Sequence, residues 1–240
     1  MRLFQEYLPW LLEKYPDDAF DIVINTEFVS IDHFLSNIVT NVESGLTTKN
    51  LKEQFLIYYN KKKPTEAYQN QLIELIIEKL FRMSHKDTNA NSIIFQGELK
   101  TNFDLLMSYL KADNACYSKN YILEKLKDTW LLDGEIYLYS QLGNHTNALE
   151  KLIENTSEEA DKFAKVEKYC DENFEKKPDI YNMLLKMLVD KYNELKKMNA
   201  AESRRKVFED EIISFMQKNK DVQLKHEKTK FAVYVSLFIT

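Results

Sequence analysis

"EIYLYSQLGNHTNALEKLIENT", residues Glu135–Thr156, decides how the rest of the chain is read. Apolar residues recur at helical spacing on both sides of a short Leu-Gly-Asn-His break. Ile136, Tyr139 and Leu142 fall on one face of a first helix. Gly143 then offers a left-handed C-terminal cap, a conformation in which a side chain is strained. Asn144 or Thr146 can cap the second helix, which buries Ala148, Leu149, Leu152 and Ile153. A small residue, Ala148, beside the turn lets two antiparallel helices approach closely, where a large one splays them. The stretch therefore specifies an αα-hairpin whose apolar faces need neighbours on both sides, which is the logic of an α-solenoid.

The whole chain has the composition for more of the same. Its 240 residues are 44% hydrophobic, enough to build a core. Four Gly and four Pro are too few for the many turns of a β-rich chain, so long helices are expected. From the net charge of −5 no strong electrostatic attraction to nucleic acid or anionic lipid is expected. The short basic runs Lys61-Lys62-Lys63 and Arg204-Arg205-Lys206 read as solvated helix ends and faces. Two cysteines, Cys116 and Cys170, suggest a reducing compartment without a disulfide framework. The start, "MRLFQEYLPW", has no uninterrupted apolar core of a signal peptide, so the glycosylation triplets at Asn144 and Asn155 read as chance. The longest apolar run, Phe231–Ile239, is too short to span a bilayer as a helix.

Working outward, helix follows helix. Pro9 and Pro16 each stand where a helix can begin, giving helices near 8–15 and 17–25. Ser30 caps 31–43, with Ile31, Phe34, Leu35, Ile38 and Val39 on one face, and Gly45 ends it. Thr48 caps 49–61, with Leu51, Phe55, Ile57 and Tyr58 inward. Pro64 opens a helix to about 83 carrying Leu72, Ile73, Leu75, Ile76, Leu80 and Phe81. The polar, Asn-rich segment 84–96 breaks the pattern and reads as an exposed, flexible loop between two solenoid lobes, 1–83 and 97–240. Helices resume at 98–111, 118–128, 131–142, 146–155, 157–173, 178–196 and 203–218, with Pro178 at one start and Ser203 as a cap. The tail 228–240 is β-branched and aromatic and fits a strand, a fraying helix or an unstructured end. Glu135-Ile136-Tyr137 recurs as Asp179-Ile180-Tyr181, 44 residues on, a spacing within the range of two-helix solenoid units. The expected fold is all-α, a solenoid of stacked antiparallel helix pairs of clathrin heavy-chain or TPR-like kind.

Motifs for chemistry are missing from the sequence. Four scattered glycines cannot form a phosphate loop. His33, His85, His145 and His226 stand in no metal-binding spacing, and no Cys-x-x-Cys occurs. Cys170 reads as a buried small hydrophobe rather than a nucleophile. His145, in a helix turn with no adjacent nucleophile, reads as a surface or capping residue. The pairs Glu158-Glu159 and Asp171-Glu172 lie on faces expected to be exposed. No catalytic, cofactor-binding or metal-binding residue is assigned.

The segment "WLLDGEIYLYSQLGNHTNALEKLI" resembles the clathrin heavy-chain-type repeat. It is most similar to the version in tether subunits of the HOPS and CORVET complexes, the family of vacuolar protein sorting-associated protein 39 and the transforming-growth-factor-β-receptor-associated protein. The residues that carry this are Glu135, Leu138, Leu142, Gly143, His145, Ala148 and Leu149, followed by Glu167, Tyr169 and Cys170 of "VEKYCDENF" and then by "DIYNMLLKMLV". In the N-terminal half, Trp10, Leu12, Pro16, Ile22 and "NQLIELIIEKL" are similar too, so the likeness covers about residues 7–215. Described members also have an N-terminal β-propeller-like domain, and many end in a zinc-binding cysteine cluster. Neither is matched here, as expected of a fragment, a shortened relative or an incomplete gene model.

The resemblance implies a non-enzymatic scaffold without cofactors, acting in endosome-to-lysosome or vacuole transport. Its partners would be other tether subunits and, through the complex, a Rab GTPase and SNAREs, with no nucleic acid. Its place would be cytoplasmic, peripheral on the endosome, lysosome or vacuole membrane through those partners. The competing readings are another α-solenoid trafficking scaffold, such as a vesicle-coat subunit, and a helical enzyme whose site leaves no motif.

Overall fold

A computed structural model describes residues 2–26, 30–40, 48–84, 97–155, 159–198 and 202–218. The described residues form twelve α-helices and no strand, so the protein is all-α. Two compact units divide after Asp128. The first holds α1 (Arg2–Lys14), α2 (Pro16–Asn25), α3 (Ile31–Thr40), α4 (Thr48–Lys62), α5 (Glu66–Ser84), α6 (Gly97–Leu110) and α7 (Lys119–Leu126). The second holds α8 (Leu132–Gln141), α9 (His145–Asn155), α10 (Glu159–Asn173), α11 (Ile180–Lys197) and α12 (Glu202–Lys218).

The helix ends follow local chemistry. Pro16 opens α2, where its missing N–H removes no helical bond. The Ser30 hydroxyl accepts from the His33 amide at 3.1 Å and so caps α3. Pro9, expected at a helix start, instead lies inside α1. The helix runs on through it at the loss of one bond, the one the Gln5 carbonyl would accept. Pro64 stands outside α5, because the Thr65 carbonyl accepts the first helical bond, from Gln69 at 2.9 Å. Pro178 likewise precedes α11 by a turn, and Ser203 falls within α12 rather than before it. Gly45, the tail 228–240 and all of the 84–96 segment but Ser84 lie outside the described residues.

The first unit is built on aromatic side chains. Phe55 of α4 is fully buried, with its ring 5.2 Å from Phe20 of α2 and 4.9 Å from Phe34 of α3. Such ring pairs add about 0.5–1.5 kcal/mol each beyond the area they bury. Leu51, Leu56 and Tyr59 of α4 are buried too, and Ile57 and Tyr58, expected inward, are half-buried. On α5 the core face is Leu72, Ile73, Ile76, Ile77 and Leu80, while Leu75 and Phe81 are only half-buried.

The division after Asp128 differs from the expected boundary at 84–96, because α6 and α7 both pack on α5. Gln69 of α5 accepts from the Cys116 amide at 2.8 Å, and Asn70 from the Ser118 amide at 2.9 Å. Lys125 of α7 pairs with Glu74 of α5 at 2.7 Å. Polar reach across 47 and 48 residues of sequence separation holds the α6–α7 connection to α5. Asp128 itself has φ +57°, a left-handed value that a short polar side chain tolerates better than most.

In the second unit α8 and α9 pack across the turn Leu142-Gly143-Asn144. Gly143 has φ +73°. Its amide donates to the Ser140 carbonyl at 3.0 Å, and the Asn144 amide donates to the Tyr139 carbonyl at 2.9 Å. This pair of bonds is the Schellman arrangement and satisfies two carbonyls that the helix end leaves open. Asn144, not Thr146, precedes the helix, its carbonyl accepting from Ala148 at 3.3 Å. Ala148, Leu149, Leu152 and Ile153 are all buried, and Ala148 has no exposed surface. Leu142 differs from expectation: at the helix end it turns outward and is 37% exposed.

A Cβ added at Gly143 meets nothing within 4 Å, so any penalty there is backbone strain alone. Gly143→Ala should therefore destabilise the second unit by about 1–2 kcal/mol, Gly143→Val by more, and Gly143→Asn by less. Ala148→Leu should cost about 1–3 kcal/mol through overpacking. Denaturant midpoints for the four variants check both claims; equal midpoints for Asn and Val at 143 would contradict the strain account.

Candidate functional site

Two of the stretches that carry the resemblance, around Gly143 and around Tyr169, are brought together by the fold. His145, the first residue of α9, is buried rather than on the surface. Its Nδ1 lies 2.9 Å from the phenol oxygen of Tyr169 on α10. Asn173, one turn further along α10, donates its amide to the Tyr169 carbonyl at 2.8 Å and faces Ser140 of α8 with its oxygen, at 2.7 Å. Side chains from α8, α9 and α10 are thus linked by hydrogen bonds beside the Gly143 turn.

Donor accounting fixes one link of that set. Asn173 spends its NH2 on a carbonyl, so its oxygen accepts, and the hydroxyl proton of Ser140 goes to it. Between His145 Nδ1 and the Tyr169 phenol, 2.9 Å apart, the imidazole tautomer sets which group donates. Burial pushes the Tyr169 phenol up to about 12, so the phenol keeps its proton at neutral pH.

Around this set the remaining resemblance residues serve packing. Leu138 and Leu149 are fully buried. Glu135 is 1% exposed and faces Lys151 of α9 at 3.5 Å, so an ion pair ties α8 to α9 beneath the turn. Cys170 is buried, and burial, followed by Asp171 and Glu167, pushes its thiol up to about 12, as suits a small hydrophobe and not a nucleophile. Cys116 and Cys170 are both free thiols. Ile180 is buried like Ile136, but Asp179 is exposed where Glu135 is buried, so the internal similarity is one of packing and not of charge. Asp171 accepts from the Tyr181 phenol, and Glu172 pairs with Lys168 at 3.8 Å across one helical turn. The Glu158-Glu159 pair lies outside the described side chains.

In the first unit the basic run at the end of α4 is not simply solvated. Lys62 pairs with Asp21 of α2 and sits 4.6 Å from the centre of the Tyr58 ring. Lys63 reaches the Ile24 carbonyl at 3.4 Å. Both lysines therefore join α4 to α2. His33 is exposed, and His85 and His226 lie outside the described residues. Among the described residues no group of His, Cys, Asp and Glu is placed to hold a metal ion, and no helix is long and apolar enough to cross a membrane.

Sequence reading missed Tyr169 as the partner of His145 and Asn173 as the partner of Ser140. Their spacing of four along α10 places them on one face, which is a signal, but nothing local shows that the face meets the turn at 143.

Folding holds His145 neutral: burial acts first, then the positive charges of Lys177 and Lys176, against the opposing carboxylate of Asp179. Its folded value lies below the ordinary 6.5, so the unfolded chain binds more protons in that window and stability rises with pH. The contribution is complete above the unfolded value and is lost as the pH falls through the folded one. The urea midpoint of the second unit should therefore drop on acidification through this window, and His145→Gln should be less stable at neutral pH with a flatter pH profile. Tyr169→Phe, which removes the hydrogen-bond partner of buried His145, should cost about 1–3 kcal/mol, read from the same urea midpoint.

Compared with known proteins, this chain matches no protein-family model, no curated protein and no solved structure.

Proposed function

We propose that the chain is an interaction scaffold, an α-solenoid of the HOPS or CORVET tether-subunit kind, acting in transport and fusion at endosomes, lysosomes or vacuoles. One observation carries the reading. The residues on which the resemblance rests, Gly143, His145 and Tyr169, meet in a single hydrogen-bonded turn, although 24 residues separate the histidine from the tyrosine. A shared pattern of that sort describes a repeat unit, where helix, turn and next helix interlock, rather than scattered chance identities.

The packing order within each unit supports the solenoid. Helices pack mainly on their neighbours in the chain, and contacts that skip one helix, α2 on α4, α5 on α7 and α9 on α11, link successive pairs. A stack of that kind offers helix faces and edges for binding, not a reaction cleft. On this reading the chain joins other tether subunits and reaches a Rab GTPase and SNAREs through them, on the cytoplasmic side of the membrane and peripheral to it.

The test is capture of candidate core tether subunits by the full chain. Capture should persist with chelator and without nucleotide, because apolar helix faces supply the binding free energy. Loss of capture with chelator would defeat the metal-free part. Capture of vesicle-coat subunits and of no tether subunit would replace the reading with that of a coat scaffold.

A further inference from the structure

Large apolar side chains left in water are not spread evenly. Among the described residues eight are notably exposed, and four of them, Tyr7, Trp10, Tyr15 and Ile22, lie on α1, α2 and the residue between. Tyr7 and Trp10 are three apart on α1 and share a face. Tyr15, Asp18 and Ile22 follow the same helical spacing into α2. The Trp10 and Tyr15 rings meet edge to face at 5.8 Å and join the two rows. The result is one aromatic strip crossing two helices, with rings held in place before anything binds.

The charge on that strip selects what can cover it. Asp17 and Asp18, in the first turn of α2, are exposed, and Asp18 stands within the row between Tyr15 and Ile22. Nearby Glu13 and Lys14 pair with each other at 3.1 Å and cancel. Asp21 is already taken by Lys62. The strip thus presents aromatic faces and uncancelled carboxylates together. A second copy would bring these carboxylates against their own equivalents, since a two-fold contact pairs a surface with itself. An anionic lipid surface is repelled for the same reason. A cationic, apolar segment is favoured twice, by the carboxylates and by the ring faces, which attract guanidinium and ammonium groups.

We infer that the α1–α2 face is a docking surface for an amphipathic helix of another protein that carries Arg or Lys beside its apolar residues. The inference deepens the scaffold reading and rests on it, but it does not depend on the partner being a tether subunit.

The experiment uses the full chain and two synthetic amphipathic helices with the same leucine face, one flanked by arginines and the other by glutamates. Binding is read from the fluorescence anisotropy of a dye attached to each peptide, so that variants lacking Trp10 are measured in the same way. The arginine peptide should bind at least about tenfold more tightly than the glutamate peptide. That preference should shrink as salt shortens the Debye length from about 10 Å at 0.1 M to about 3 Å at 1 M. Trp10→Ala/Tyr15→Ala should weaken arginine-peptide binding by about tenfold or more, with helicity by circular dichroism unchanged because both rings are over half exposed. Asp17→Lys/Asp18→Lys should reverse the preference. Equal affinity for the two peptides overturns the inference. So does a dimer in sedimentation that Trp10→Ala/Tyr15→Ala abolishes, which would assign the face to a second copy. So does binding to phosphatidylcholine vesicles with neither peptide present, which would assign it to lipid. A failed capture of tether subunits alongside arginine-selective binding would reject only the tether identity.

Discussion

A helix of ten residues does not hold itself together in water. α2, α3 and α8 have that length, and α7 is shorter. Each exists because a neighbour covers its apolar stripe, and nearly all else in the two units follows from that dependence. In the first unit the cover is aromatic, with Phe20, Phe34 and Phe55 meeting from three successive helices. In the second it is aliphatic across α8, α9 and α11, with Leu138, Leu149, Leu184 and Leu185 at its centre.

Stripes that must be covered also set where polar groups can go. A turn between two packed helices leaves carbonyls and a buried ring at a place water cannot serve. At Gly143 the backbone solves the first problem with the two bonds of a left-handed cap. The second is solved by two side-chain pairs, His145 with Tyr169 and Ser140 with Asn173, joined where Asn173 donates to the Tyr169 carbonyl. Buried polar chains of this kind contribute little net stability when complete and cost much when broken. Their effect is on specificity: α10 has one position in which the chain closes. This gives the second unit a defined helix register with its cysteine free.

Helical units built this way have two kinds of surface. One kind is consumed in packing helix on helix, and the other stays exposed. The aromatic and acidic strip on α1 and α2 is of the second kind, with the Trp10 and Tyr15 rings packed on each other and each more than half exposed. The polar chain at Gly143 belongs to the first, although it contains the histidine that a search for chemistry would single out.

The sequence by itself determined the helices and their local ends. Scarce Gly and Pro, apolar residues at helical spacing, Ser30 before α3, Pro16 at the start of α2 and Gly143 after α8 all act within a few residues, and local sterics and hydrogen bonding suffice to read them. The buried face of α9 was legible for the same reason, whereas Ile57, Tyr58 and Leu142 were placed a fraction of a turn wrongly, since periodicity fixes a stripe more loosely than packing does. Pro9 shows the opposite limit, a strong local stop signal carried through by the helix around it. Only the tertiary structure decided that α6 and α7 belong with α5, because Gln69 and Asn70 act over some forty-seven residues of chain. Only the tertiary structure made His145 a buried partner of Tyr169, because a hydrogen bond is chosen by distance in space, and no local pattern records which distant face arrives.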